Sequence, residues 1–261
     1  MKKTFLLASL VSLCAFARAD ILVTTAYLSG SAEATPNNSP GTGFAIATYD
    51  STAHTLRVQV DFSGLTTNVT ASHIHATVVP PSTTAGVATQ TPTFEGFPTG
   101  VTSGAYDHTF DLTQASSFNA AFVNANGGVP EAETALAAAL ANGLSYLNIH
   151  TVAFPGGEIR GFLLVDSDAD GVPDSVDAFP HSRDVGGNVT IDGCDTGVPS
   201  GLSPDGSTIS DWIYEIAAGA KNHGKFVSGV AKLKNALRKD SVLTSEQAEA
   251  IQSCAAQSSL P

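Results

Sequence analysis

Leu56-Arg57-Val58-Gln59-Val60-Asp61-Phe62 alternates apolar and polar residues without a break. Successive side chains of a β-strand point to opposite faces, so Leu56, Val58, Val60 and Phe62 line one buried face while Arg57, Gln59 and Asp61 meet water. A helix would scatter the same residues around its axis. The spacing predicts a half-buried strand over Thr55–Phe62. Just upstream, Asp50–His54 separates it from a second strand-like run, Gly43–Asp50, and so short a connection joins antiparallel neighbours.

Working outward, the same patterning predicts strands over Ile21–Leu28, Thr70–Val79, Ala105–Leu112, Leu144–Thr151 and Glu158–Val165. Many short strands with turn-rich separators imply a mainly β fold, an antiparallel Greek-key-like β-sandwich. Thr113–Asn124 and Pro130–Asn142 read as two helices capping it. The second opens on Pro130, Glu131 and Glu133 and stops at Gly143, the expected start and stop residues.

Residues 1–19 carry a different message. Lys2-Lys3, an apolar run from Thr4 to Phe16 and Ala17-Arg18-Ala19 form a signal peptide with cleavage expected between Ala19 and Asp20. The run is too short to span a bilayer, and no later stretch approaches the ~18 apolar residues that a span needs. The expected destination is secreted or periplasmic. Lys2, Lys3 and Arg18 would leave with the signal, taking 12 basic residues to nine and the formal charge from −12 to −15. Arg57, Arg160 and Arg183 are the only basic residues over 20–183. That charge excludes nucleic acid and heparin-like polyanions as partners of the main body and suits cations. Cys194 and Cys254 are the only cysteines beyond the signal. In an oxidising compartment an even pair reads as a disulfide, with two buried thiols as the alternative.

Two histidine-bearing segments hold the chemistry. In Ala71-Ser72-His73-Ile74-His75 the histidines stand two apart and share a strand face. Asn148 and His150 do the same in Tyr146-Leu147-Asn148-Ile149-His150-Thr151, as do Glu158 and Arg160 after Phe154-Pro155-Gly156-Gly157. Three strands can thus present His73, His75 and His150 from one surface as a copper or zinc site, because imidazoles suit both metals. Glu158 and Arg160 then read as a cross-strand ion pair, a substrate clamp or support for the ligands from behind. The competing reading has the imidazoles hydrogen-bonded to backbone or to Glu158 and serving stability alone.

These segments, with Leu28-Ser29-Gly30, Glu33, Pro36, Pro40-Gly41 and Val60-Asp61-Phe62-Ser63-Gly64-Leu65, resemble the CHRD (chordin) domain over about residues 20–165. The resemblance implies an extracellular or exported β-domain, repeated in chordin and solitary in many bacterial proteins, without one assigned activity. One departure is Ala76, where the family usually has glycine after the second histidine. The His-x-His strand also resembles the copper-binding strand of Cu/Zn superoxide dismutase. That likeness covers three residues, and residues 20–193 hold no cysteine to match that family's disulfide.

From Asp166 the chain turns acidic: Asp166, Asp168, Asp170, Asp174 and Asp177 fall around Gly171, similar to a thrombospondin type 3 calcium repeat. Calcium takes several oxygen ligands, and acids at alternate positions around a glycine turn supply them. The alternative is a solvated acidic linker. This is not a full EF-hand, because the twelfth position from Asp166 is the short Asp177. From about Asp192 the chain reads as a helical module resembling a C-terminal module of exported bacterial proteins. Ile209, Trp212, Ile213 and Ile216 recur at helical spacing, as do Phe226, Val230, Leu233 and Leu237. Thr244 and Gln247 form a capping box for a last helix. The expected organisation is a signal over 1–19, a sandwich over 20–165, an acidic linker over 166–191 and a disulfide-closed tail over 192–261. The expected function is non-enzymatic binding of an extracellular protein or surface partner, with calcium in the linker. The alternative is a copper- or zinc-binding protein or superoxide dismutase-like metalloenzyme using His73, His75 and His150.

Overall fold

A computed structural model describes residues 21–80 and 82–261, so the expected signal peptide lies outside the described residues. Eight strands form one antiparallel sheet: β1 (Ile21–Ser29), β2 (Thr42–Asp50), β3 (Thr55–Ser63), β4 (Val69–His75), β5 (Gly104–Asp111), β6 (Tyr146–Thr151), β7 (Ile159–Phe162) and β8 (Leu164–Val165). The order across the sheet is β4-β6-β7-β1-β2-β3-β5, with β8 also on β1. The sheet curls on itself into a mainly β, sandwich-like body.

The hairpin read from sequence is present. Asp50 pairs with Thr55, the Asp50 carboxylate accepts from the backbone N–H of Thr52 and Ala53, and His54 takes the left-handed conformation at φ 54°. Leu56, Val58, Val60 and Phe62 are all buried, as their alternation demanded. Burying each stabilises the fold by about 1.5–3 kcal/mol relative to exposure. On the wet face, Arg57 crosses to Asp107 on β5.

Helices α1 (Ala120–Asn126) and α2 (Val129–Ala141) pack Phe122, Ala132, Leu136, Ala139 and Leu140 into this core. The first begins later than the sequence implied. Residues 115–117 form a single 3-10 turn, Phe118 is extended, and the Asn119 side chain caps the Ala121 N–H. Polar residues that bond their own backbone favour a turn over a helix interior. Asn119 resets the start, and Gly127 at φ 99° ends the helix.

The tail has its own core of Val189, Ile191, Ile213, Phe226, Val230 and Ile251, among others. It opens on a hairpin that the sequence reading missed, β9 (Asn188–Ile191) and β10 (Cys194–Pro199). Helices α3 (Ile209–Gly219), α4 (His223–Lys239) and α5 (Ser245–Gln257) follow, and the capping box of Thr244 and Gln247 is formed. A disulfide joins Cys194 on β10 to Cys254 on α5, with Cα atoms 5.7 Å apart. Among the described residues no helix is long and apolar enough to cross a membrane.

Candidate metal centre

β4 and β6 are antiparallel neighbours, with His73 opposite Asn148, His75 opposite Tyr146, and Ala71 opposite His150. Ile74, Leu147 and Ile149 point into the core and are fully buried. The alternation therefore sends His73, His75 and His150 to the other face together. Their ring centroids lie 6.0, 5.3 and 6.1 Å apart, and each ring offers a nitrogen within 4.8 Å of the other two.

Each ring is held by a backbone carbonyl. His73 Nε2 donates to Pro92 O at 2.6 Å, His75 Nδ1 to Ala85 O at 3.0 Å and His150 Nδ1 to Pro155 O at 3.0 Å. A ring nitrogen facing a carbonyl carries the proton, so the other nitrogen of each neutral ring presents a bare lone pair. Those nitrogens are Nδ1 of His73, Nε2 of His75 and Nε2 of His150. All three are closed off from solvent, and none has a hydrogen-bond partner. Burial lowers the pKa of each ring, that of His75 to about 4, so all three are neutral at physiological pH. Three buried acceptors left without a donor are unfavourable unless something electropositive meets them.

The predicted supporting residues sit differently. The Glu158 carboxylate accepts from Ser39 Oγ (2.6 Å), Thr66 N (2.7 Å) and Thr151 Oγ1 (2.6 Å) and bonds neither a histidine nor Arg160. Burial pushes its pKa up, but these donors outweigh that and hold it below the ordinary value. Glu158 stands just before β7, which starts at Ile159, and its carboxylate turns to Ser39, Thr66 and Thr151 rather than to Arg160. Glu33, beyond the turn after β1, takes the place facing Arg160, at 3.9 Å. Arg160 also donates to Ala32 O and Thr83 O and lies 4.8 Å over the Tyr146 ring. The residue is only 3% exposed, and two of its nitrogens are held by these carbonyls. Burial raises the pKa of Glu33, against the pull of Arg160.

Sequence reasoning missed Glu33, Tyr146 and the three carbonyls. Glu33 already stood in the family-like opening segment, which was its one available signal. The loop after His75, where Ala76 replaces the usual glycine, starts with a cis Ala76–Thr77 peptide and returns to supply the carbonyls of Ala85 and Pro92.

In the acidic run, Asp166, Asp168 and Asp170 bring carboxylate oxygens within 4.8 Å of one another. Backbone N–H groups of Asp170 and Gly171 bond Asp166, while that of Ser182 bonds Asp168. Asp177 lies close enough for its charge to act on Asp170, and one oxygen of each is buried without a partner. Asp174 stands apart from the cluster, capping Ser167 through N–H and hydroxyl at 2.7 Å each. Burial first, then the neighbouring aspartates, pushes the pKa of Asp170 up to about 6.

Among protein-family models, the CHRD domain matches residues 24–163. No curated protein and no solved structure matches the chain. The matched span covers more than half of the 261 residues and runs from β1 to the end of β7, taking in all three histidines. This chain belongs to the CHRD domain family.

Proposed function

We propose that this protein is an exported, non-enzymatic metal-binding member of the CHRD family that serves in binding at the cell exterior. In this reading His73, His75 and His150 hold one copper or zinc ion. The loop of Asp166, Asp168 and Asp170, with Asp177 beside it, holds calcium and rigidifies the connection to the disulfide-closed tail. A CHRD domain and a disulfide suit an extracellular or periplasmic protein that acts by interaction.

One observation carries the reading. Three neutral imidazoles stand with ring nitrogens within 4.8 Å of one another, and in each the nitrogen that the carbonyl leaves free is buried and unpartnered. Histidines serving packing alone would not leave three lone pairs bare. Metal ligands, by contrast, regularly give their second ring N–H to a carbonyl or carboxylate. The test is calorimetric titration of copper and zinc into untagged mature protein and into His75→Ala. One equivalent bound by the first and lost in the second is expected. Equal heats in both, or none in either, overturn the histidine site.

A further inference from the structure

The donor set bears on which ion the site takes, an inference that rests on the proposed histidine site. The donors on this face are neutral: the three imidazoles and, opposite His73, the buried and unpartnered Asn148 Oδ1, an amide oxygen that suits a soft copper(I) ion less than imidazole does. Of the acids nearby, Glu158 is held by Ser39, Thr66 and Thr151, while Glu33 faces Arg160 and accepts from Asn148 through Oε2, its Oε1 lying buried and unpartnered. The only cysteines beyond the expected signal are joined in the disulfide. The Glu33 charge is already set against that of Arg160, so among the described residues near the rings no net negative charge offsets an added ion. The Arg160 guanidinium, stacked on the same Tyr146 ring that His75 stacks on, adds positive potential.

Charge and coordination number then separate the candidates. The cost of taking an ion out of water rises with the square of its charge, so a divalent ion loses far more here than a monovalent one. Zinc takes four ligands almost without exception. Copper(II) likewise seeks four or more, in a tetragonal arrangement. Copper(I) is a filled-shell monovalent ion with no such demand, and three imidazoles satisfy it. The three nitrogens are shielded from solvent, so a water ligand has no ready approach to complete a divalent ion's shell. With the nitrogens within 4.8 Å of one another, an ion between them needs each ring to move by under about 1 Å to reach a bond of roughly 2 Å.

We infer that the His73/His75/His150 centre selects copper(I) over zinc and copper(II), holding it through the three imidazoles. Binding transfers no electron; the ion arrives already reduced.

The experiment uses untagged mature protein saturated with calcium, in anaerobic buffer with ascorbate, which leaves the disulfide intact. Copper(I) affinity is read by competition with bicinchoninate, and zinc affinity with a chromophoric zinc chelator. X-ray absorption at the copper edge of the unmutated protein reports oxidation state and ligand number without relying on a variant that folds. One equivalent of three-coordinate copper(I), bound roughly 100-fold or more tightly than zinc and lost in His75→Ala, is expected. Zinc or copper(II) bound as tightly as copper(I), or a four-coordinate copper spectrum, overturns the selectivity and leaves the histidine site standing. Failure of folded protein to take up any of the three ions overturns both.

Discussion

His75 lies face to face with Tyr146, ring centroids 4.6 Å apart and planes within 6° of parallel, and both side chains bond the carbonyl of Ala85. The tyrosine thus fixes the plane of the imidazole while the carbonyl fixes its rotation. Tyr146→Leu is expected to weaken copper or zinc binding by about 10–100-fold. Tyr146→Phe, which keeps the stack, should come within a few-fold of the parent. Calorimetry on both variants checks this, and equal losses would shift the effect from the stack to the hydroxyl.

Glu158→Ala is expected to cost stability and spare the metal. Its carboxylate is fully buried and accepts from Ser39, Thr66 and Thr151, so truncation strands three donors. A loss of about 3–5 kcal/mol follows, read from urea denaturation. Metal affinity of the folded fraction should not move, opposite to the role that strand alternation alone assigned to Glu158.

Acid should act on the histidine face in one direction. With folded-state pKa values below the ordinary 6.5, that of His75 near 4, the unfolded chain binds protons that the folded chain refuses. The contribution of these histidines to the stability of the metal-free protein should be complete above about pH 6.5 and fall as pH drops toward about 4. Bound metal holds the rings neutral, so loading should move the midpoint to lower pH in an acid denaturation series.

The acidic loop has the opposite sign. Asp170, raised to about 6 in the fold, binds a proton there that the unfolded chain lacks above its ordinary pKa. Its contribution without calcium is present at low pH and lost as pH rises through about 6. Calcium removes that penalty, so the gain in Tm on adding calcium should grow from pH 5 to pH 7. At 100 times the dissociation constant it amounts to about 2.7 kcal/mol. In Asp168→Ala/Asp170→Ala the gain should vanish at every pH.

Reduction of Cys194–Cys254 should loosen the tail selectively. The bridge spans 60 residues of sequence and restrains the unfolded chain by roughly 4 kcal/mol in the simple loop model. Trp212, the only tryptophan, packs against the tail core and reports on it alone. Its fluorescence should melt at lower temperature after reduction, with metal binding at the histidines unchanged.

The strands were legible because their signal is local. Leu56 to Phe62 declares a face through its own alternation, and the same rule placed His73, His75 and His150 together from two strands. What surrounds them was not legible. The acceptors Ala85, Pro92 and Pro155 belong to irregular loops, and Glu33 meets Arg160 only after the sheet has brought β1 beside β7. The partners of Glu158 could not be read either, because Ser39 and Thr66 lie in irregular segments far from it in sequence. The β9–β10 hairpin escaped notice because each strand is brief and offers little alternation: Val189 and Ile191 in one, Val198 in the other.

β8 is only two residues long, pairing Val165 with Thr24 and Leu164 with Thr25, and it leads straight into the acidic loop. Under tension, such as a surface-tethered tail would transmit, this is the weakest seam between tail and body, because two rungs yield long before the nine-residue registers of β1, β2 and β3. Calcium bound at Asp166 would reinforce that seam at its base, where the Asp166 N–H bonds Val23 O. Pulling on the C-terminal end is therefore expected to peel β8 from β1 before the nine-residue pairings of β1, β2 and β3 give way, an order that force spectroscopy checks.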